Sequence, residues 1–208
     1  MSRRLPMFPL GSVLFPFAVL PLHIFEPRYR VLMFDSTRAG VEPEFGVVLI
    51  ERGTEVGGAD ERFDFGTVAR ILEARELPDG RWLLTAVGTS RVRVEHWRAD
   101  DPYPIADVDD VADDPWSGDD DAAFGEAERL VRQALTLVSE LGQPAAPASM
   151  ALAPDPEAAA WQLAAIAPLG HLDRQRLLET PGPGPRLRTL AEMAAEEISV
   201  LAYRLGRG

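Results

Sequence analysis

Three histidines and their acidic neighbours are the side chains of this sequence that could bind a metal ion or transfer protons. His23 and Glu26 lie three positions apart, whereas His96 and His171 are far from them in the chain. A metal site needs three or four converging ligands, and the sequence has no HExxH motif or comparable cluster. The spacing therefore favours a core or hydrogen-bonding role for His23 over a metal site.

The residue types that several common catalytic mechanisms require are missing. The chain has no cysteine, and all 21 of its basic residues are arginine. The absence of lysine excludes a Walker A phosphate loop and a serine–lysine dyad. No serine lies in a GxSxG motif, and the glycines from Gly53 to Gly58 lack the spacing of a phosphate loop. We therefore expect no catalytic activity and no cofactor.

The acidic charge of the chain is concentrated in one segment. The net charge is −12, and ten aspartates and two glutamates lie between Asp100 and Glu128 with no basic residue among them. The remaining 21 acidic residues balance the 21 arginines, so the rest of the chain is formally neutral. Such a segment repels nucleic acid, and its composition favours a solvated interdomain linker over an acidic docking site.

The elements that position these side chains begin with an apolar stretch. From Leu5 to Leu22 the chain has no charged residue, and four prolines interrupt it. Because proline removes an amide donor, this stretch is expected to form neither a core helix nor a central strand. We expect two short extended segments, Leu5–Leu10 and Ala18–Phe25, and then a helix from Pro27 to Ala39 that Gly40 ends.

The same stretch resembles a signal peptide, because an apolar run follows Arg3 and Arg4. Its prolines and the lack of a small-residue cleavage site before Glu26 contradict that interpretation. They also contradict a membrane span, and no other apolar stretch is long enough for one. We therefore expect a cytoplasmic protein without membrane contact.

The segment from residue 45 to residue 108 has the pattern of a small β-domain. Apolar and alternating runs, separated by turn residues such as Asp79 and Gly80, predict five further strands. The predicted strands are Phe45–Glu51, Phe65–Ala74, Arg81–Val87, Arg91–Arg98 and Tyr103–Val108. Prolines beside the last strand place it at a sheet edge. The number of short strands indicates a small, partly closed barrel.

Helical periodicity replaces the strand pattern after the acidic segment. Apolar residues recur at spacings of three and four, and Asp155 and Pro156 form a helix start. The predicted helices are Asp119–Leu141, Asp155–Ala167, Leu172–Glu179 and Arg186–Leu205. The sequence thus predicts an α+β fold with two domains: a small β-barrel with one early helix over 1–112, and an α-helical bundle over 113–208.

Two motifs near the start resemble a known protein family. FPLGSVLFP (Phe8–Pro16) and LPLHIFEPRYR (Leu20–Arg30) are similar to the opening motif of the Lon-type substrate-binding domain, the N-terminal domain of Lon proteases. Further similar pieces follow in the same order: FGVVLIERGTEVGG, GTVARI, LPDGRWLLTAVGTSRVRV and PYPIADV. The family also occurs as stand-alone proteins, and the resemblance implies a PUA-like barrel over 1–112.

The resemblance implies a non-catalytic binding module for unfolded or specially marked polypeptides, which could also be an adaptor for an ATP-dependent protease. Exposed apolar side chains beside an unpaired strand edge would bind an extended chain. Phe15 and Phe17 are the leading candidates, with Phe25 and Tyr29 as further ones; ordinary core packing is the alternative for Phe15 and Phe17. Phe17 stands where the family usually has glycine, so this turn forms without a glycine's freedom at positive φ.

The charged residues at the start of the predicted helix could make polar contacts to a ligand. Glu26, Arg28 and Arg30 are close in sequence, and His23 precedes them. Their spacing favours internal ion pairs that fix the helix start over a contact with a ligand.

A second hypothesis follows from the PUA-like resemblance, since some PUA-like domains bind RNA or modified bases. Arg70, Arg75, Arg91 and Arg93 lie on predicted strands and could form a local positive face. The acidic total makes nucleic acid the less favoured partner, and RNA binding would fall steeply with salt. The client polypeptide and the oligomeric state are not determined by the sequence.

Overall fold

The structure, a computed structural model, describes residues 2–52 and 61–206, and these divide into two compact units, Met1–Ala112 and Asp113–Gly208. The described part of the first unit contains the strands and one helix, in this order: β1 (Arg3–Leu10), β2 (Val19–Ile24), α1 (Pro27–Ser36), β3 (Glu44–Arg52), β4 (Glu61–Glu76), β5 (Trp82–Trp97) and β6 (Ile105–Val111). The second unit contains four helices within the described residues: α2 (Gly118–Glu140), α3 (Pro156–Ile166), α4 (His171–Glu179) and α5 (Pro183–Leu205). The predicted α+β class is confirmed.

The six strands of the first unit form one mixed sheet in the order β2-β5-β4-β3-β1-β6. The β1–β3 pair is parallel, and the other pairs are antiparallel. Strand β5 also pairs with β6, so β6 lies between β1 and β5. The sheet has no clear barrel outline, so the PUA-like barrel stays a prediction.

Strand β1 pairs on both sides although it contains Pro6 and Pro9. Its residues 3–6 pair with β6, and its residues 7–10 pair with β3. The two ladders meet end to end, so each half of β1 is hydrogen-bonded on one side only. The nitrogen of a proline can therefore face the side that has no ladder. The prediction that the prolines exclude this stretch from the interior of the sheet was therefore wrong.

The edge of the sheet also differs from the prediction. β6 pairs with both β1 and β5, so Tyr103–Val108 does not form an edge strand. The strand that pairs with a single neighbour among the described residues is β2, which is antiparallel to β5. The two predicted strands Arg81–Val87 and Arg91–Arg98 are one strand, β5, which contacts β2, β4 and β6 along its length.

Helix α1 packs on the sheet through Tyr29, Leu32 and Met33, which are buried in a core cluster with residues of β1, β3, β4 and β5. Pro27 begins the helix as predicted, since proline is well tolerated at the first helical position. The helix ends at Ser36, before the predicted end at Ala39.

The acidic segment is part of both folded units, so the prediction of a solvated linker was wrong. Asp107 and Asp110 lie in β6, and three further aspartates occupy the first turn of α2. Asp120 accepts hydrogen bonds from the backbone N–H and the hydroxyl of Ser117, which closes a capping box. Carboxylates at this end of the helix also interact favourably with the helix dipole.

The helical unit is built around the long helices α2 and α5, which share a core cluster that includes Ala134, Val138 and Leu201. Helix α5 begins at Pro183, three residues before the predicted start at Arg186. Its first turn tolerates proline because the first N–H groups of a helix have no intrahelical acceptor.

Candidate binding surface

The open edge of β2 is the feature of the first unit that can accept another chain. Gly88 donates its N–H to the carbonyl oxygen of Ala18 at 2.9 Å, and the two strands pair from Val19↔Val87 to Ile24↔Trp82. Because the bonding direction alternates along an antiparallel strand, the main-chain groups of Val19, Pro21 and His23 point away from β5. Pro21 is tolerated because its nitrogen faces the open side.

Side chains of β2, β5 and β4 form a shallow apolar surface beside this edge, which we call the edge-strand surface. Its members are Val19, Pro21, His23, Glu73, Arg75, Leu83 and Thr85. Val19 is 63% exposed and Leu83 is 39% exposed. A depression of about 470 Å³ lies against all of these residues except Val19. The surface can therefore take apolar side chains of an extended segment.

The rim of the edge-strand surface is polar. Glu73 and Arg75 lie two residues apart on β4, and neither makes an ion pair with any described residue. The His23 ring lies 6.4 Å from the exposed ring of Phe25, centroid to centroid. The predicted core role of His23 is contradicted by its exposure, which follows from its position on the outer face of an edge strand.

Phe17 precedes β2 and is held in an unusual backbone conformation. Its φ is 61°, in the left-handed region that favours glycine, and its side chain is 42% exposed. Its N–H donates to the carbonyl oxygen of Gly88 at 2.8 Å. A Cβ on Gly88 would lie 2.2 Å from the carbonyl oxygen of Phe15, so this turn and β5 approach too closely for any other residue there.

The four aromatic candidates separate into two groups. Phe17 and Phe25 are exposed, whereas Phe15 is 1% exposed and Tyr29 is 2% exposed. Tyr29 stacks on Phe8 with ring centroids 4.0 Å apart. Phe15 and Tyr29 thus contribute to the core and do not present their rings to a ligand, because the turn and α1 direct them inward.

The charged candidates near the start of α1 make internal contacts. Glu26 accepts a hydrogen bond from Nε of Arg28 at 3.1 Å, and the Arg28 guanidinium lies 4.5 Å from the centre of the Tyr29 ring. The guanidinium of Arg30 lies against Gly80, where a Cβ would come within 1.9 Å of one of its nitrogens. These contacts fasten α1 to the core and to the β4–β5 turn.

A side-chain hydrogen bond joins α1 to the segment before β6 and raises the pKa of its donor. The Tyr103 hydroxyl donates to Asp35 at 3.0 Å. Burial and then this carboxylate raise the pKa of Tyr103 to about 12. Its phenol therefore stays protonated above pH 10, the ordinary pKa of tyrosine, and serves as a hydrogen-bond donor to Asp35.

The four arginines of the RNA hypothesis do not form one free positive face. Arg91 is buried, with its guanidinium 5.6 Å from the centre of the Phe65 ring. Arg93 pairs with Glu95 at 2.9 Å, whereas Arg70 and Arg75 are exposed. Residues 1–112 contain 13 arginines against 18 acidic residues, so this unit as a whole is also negative.

The sequence alone did not show that four apolar side chains are exposed: Val19, Val31, Phe34 and Leu83. Val31 and Phe34 lie on the outer side of α1 and are 40% and 57% exposed. Val19 and Leu83 are exposed because β2 is an edge strand, which depends on pairings distant in sequence. The sequence of β2, VLPLHI, does not alternate between apolar and polar residues, so it could not show which face of the strand solvent would reach.

The described residues contain neither a group of metal ligands nor a helix that could span a membrane. Within 2–52 and 61–206, no three histidine or acidic side chains are grouped closely enough to hold a metal ion. None of the described helices combines the length and the apolarity needed to cross a membrane. The glycines from Gly53 to Gly58, which lack the spacing of a phosphate loop, lie outside the described residues.

The comparisons with known proteins agree with this architecture. Residues 4–196 match the family model described as the ATP-dependent protease La (LON) substrate-binding domain. The chain belongs to this family. Lon protease 2 of Herpetosiphon aurantiacus is 30% identical over 209 residues, which cover 96% of this chain and 24% of that protein. Lon protease 1 of Myxococcus xanthus is 25% identical over 201 residues, which cover 94% and 25%.

Solved structures of the family show the same fold. The Lon N-terminal domain protein from Xanthomonas campestris is 30% identical, with a TM-score of 0.62, and the match covers 91% of this chain and 98% of that one. The N-terminal domain of the Mycobacterium avium complex Lon protease is 16% identical, with a TM-score of 0.67 over 93% and 99%. The predicted family is thereby confirmed, and the chain spans about a quarter of the length of its curated Lon protease relatives.

Proposed function

We propose that this protein is a non-catalytic recognition module that binds unfolded or specially marked polypeptides on the edge-strand surface. The observation that carries the proposal is a row of exposed apolar side chains along an open strand edge, in a member of the Lon substrate-binding family. Exposed apolar groups beside a strand edge are a common means of binding extended peptides.

The size of the surface predicts weak binding. Burying one large aliphatic or aromatic side chain contributes about 1.5–3 kcal/mol. Phe17, which precedes β2, and Val19 and Leu83 of the surface together contribute at most about 4.5–9 kcal/mol. This gain lies within the about 4–15 kcal/mol that association costs in lost freedom. We therefore expect dissociation constants in the micromolar range or weaker, which suits a module that must release many different clients.

The partner in the cell is proposed from the same family membership. The matched relatives are named Lon proteases, and this chain corresponds to about a quarter of their length. The match is to the substrate-binding domain. We propose that the protein acts in the cytoplasm and presents clients to an ATP-dependent protease, with the edge-strand surface as its client site.

The test is a fluorescence-anisotropy titration with an unfolded apolar polypeptide and with a single-stranded RNA, each at low and moderate salt. We expect saturable polypeptide binding that tolerates salt, because apolar contacts are little screened. RNA binding that falls steeply with salt, without polypeptide binding, would favour the PUA-like alternative. Incubation with casein and ATP should give no turnover.

A pair of variants locates the site. Val19→Ser removes an apolar side chain from the edge-strand surface and should weaken polypeptide binding several-fold. Val200→Ser removes a similarly exposed valine from the second unit, where it is 44% exposed, and should leave binding unchanged. Equal effects of the two substitutions would contradict this location.

A further inference from the structure

The open edge of β2 has an uneven set of main-chain hydrogen-bonding groups. Val19 and His23 each present an N–H and a carbonyl to the open side, whereas Pro21 between them presents a carbonyl only. The edge thus offers donors at its two ends and lacks one in the middle. An added strand would form every main-chain bond except the one from residue 21.

Both sides of this edge are apolar. Leu20 and Leu22 are half-buried and pack on the core cluster on one side, and Val19 and Pro21 are exposed on the other. The strand has no acidic residue and no arginine, so pairing with an uncharged segment buries no charged side chain of β2. A strand added here would contact apolar side chains on both of its faces. The matching partner is a contiguous apolar run, which is typical of buried strands and is exposed when a protein unfolds.

We propose that the edge of β2 binds one such segment of an unfolded client as an added strand, and that Pro21 limits the strength of this pairing by withholding the central donor. The inference rests on the proposed function and adds the mode of binding and the sequence pattern of the client. A complete edge would also pair with the same edge of a second copy, and proline is one of the residues that prevent such association.

The first experiment restores the missing donor. Pro21→Ala leaves the bonds to β5 in place, since the nitrogen of residue 21 faces the open side. The substitution should tighten binding of a labelled ten-residue peptide with five contiguous aliphatic residues by about fivefold, the value of one net hydrogen bond. Pro144→Ala, which changes an exposed proline of the second unit, should have no effect. Unchanged or weaker binding by Pro21→Ala would overturn the role assigned to Pro21.

The second experiment uses the unmodified protein. Two versions of the peptide carry N-methyl groups in the aliphatic run. One version is methylated on alternate amides, which leaves one edge of the peptide free in any register, and the other is methylated on every amide, which leaves no free edge. Strand addition predicts that the fully methylated version loses at least about tenfold in affinity while the alternately methylated version stays within about twofold.

The outcomes separate this inference from the proposed function. Equal binding of the two methylated peptides, with binding of the parent peptide intact, would overturn strand addition and leave polypeptide recognition standing. Absence of binding by the parent peptide would overturn both. A peptide of the same composition with alternating apolar and polar residues should bind more weakly than the contiguous one.

Discussion

The backbone of Phe17 is in a conformation that costs an L-residue about 1 kcal/mol or more. The side chain is 42% exposed, so burial of the ring offsets only part of this cost. Strained, exposed residues of this kind are concentrated at binding sites. We interpret Phe17 as a side chain kept for recognition, at a position where glycine would be more favourable for folding.

Two substitutions at residue 17 separate the effect of backbone strain on stability from the contribution of the ring to peptide binding. Phe17→Gly and Phe17→Ala both remove the ring and should weaken peptide binding alike. The glycine variant should have the larger free energy of unfolding, by about 1 kcal/mol, because alanine retains the strain at positive φ. Urea denaturation and anisotropy titration measure the two effects. A glycine variant much less stable than the wild-type protein would instead indicate that the ring contributes to the core.

Phe15 is buried and Phe17 is exposed, and this difference could not be predicted from the sequence. The motif and the missing glycine identified the turn, and both rings were apolar candidates for a surface. Which ring is buried depends on the positive φ at Phe17 and on the approach of Gly88, which is 71 positions later in the chain. Such a contact has no local signal.

Helix boundaries were predictable where a capping residue marks them, and less so elsewhere. Asp155 accepts a hydrogen bond from the N–H of Ala158 at 2.8 Å, as expected for an N-cap. The end of α3 is different, because its carbonyl groups are bound by a side chain from the next helix. Arg174 donates to the carbonyl oxygens of Ala165, Ala167 and Leu169 at 2.8–3.1 Å. No periodicity could reveal this contact.

Removing Arg174 should therefore destabilise the helical unit. Burial lowers the pKa of the guanidinium, but the negative end of the α3 dipole and three carbonyl oxygens favour its charge. Arg174→Met keeps the length of the side chain and removes its donors, so we expect a loss of about 2–4 kcal/mol in the free energy of unfolding. Arg176→Met, an exposed change in the same helix, should cost less than about 0.5 kcal/mol. Equal stabilities of the two variants would contradict this role.

The assignment of the sheet edge illustrates the same limit for strands. The prolines beside Tyr103–Val108 suggested an edge, yet they precede the ladder and leave the amides of β6 free to bond on both sides. β2 contains Pro21 and is the edge. Local composition thus showed that an edge strand exists and did not determine which strand occupies it, because pairing partners lie far apart in sequence.

At the scale of the molecule, each compact unit has its own apolar core. Among the described residues, apolar clusters lie around Met33 and around Val92 in the first unit and around Val138 in the second. All residues of the edge-strand surface lie within 1–112. Client recognition should therefore be a property of the first unit alone.

Separate expression of the two units tests this. Residues 1–112 should unfold cooperatively in urea and bind the apolar peptide with the affinity of the full chain, within about twofold. Residues 113–208 should not bind it. A first unit that unfolds cooperatively but does not bind would show that the helical unit contributes to the site.

The pairing of β1 with β6 has a consequence for biosynthesis. Arg3 pairs with Val108 and Leu5 with Ala106, so the first strand finds this partner only about 100 residues later. At about 5–20 residues per second, a ribosome needs several seconds to make that partner. During this time the β6 half of the pairing of β1 is missing, next to an uncharged, proline-interrupted apolar stretch. While it is nascent, a protein proposed to bind apolar segments of other chains therefore has an incompletely paired apolar stretch of its own.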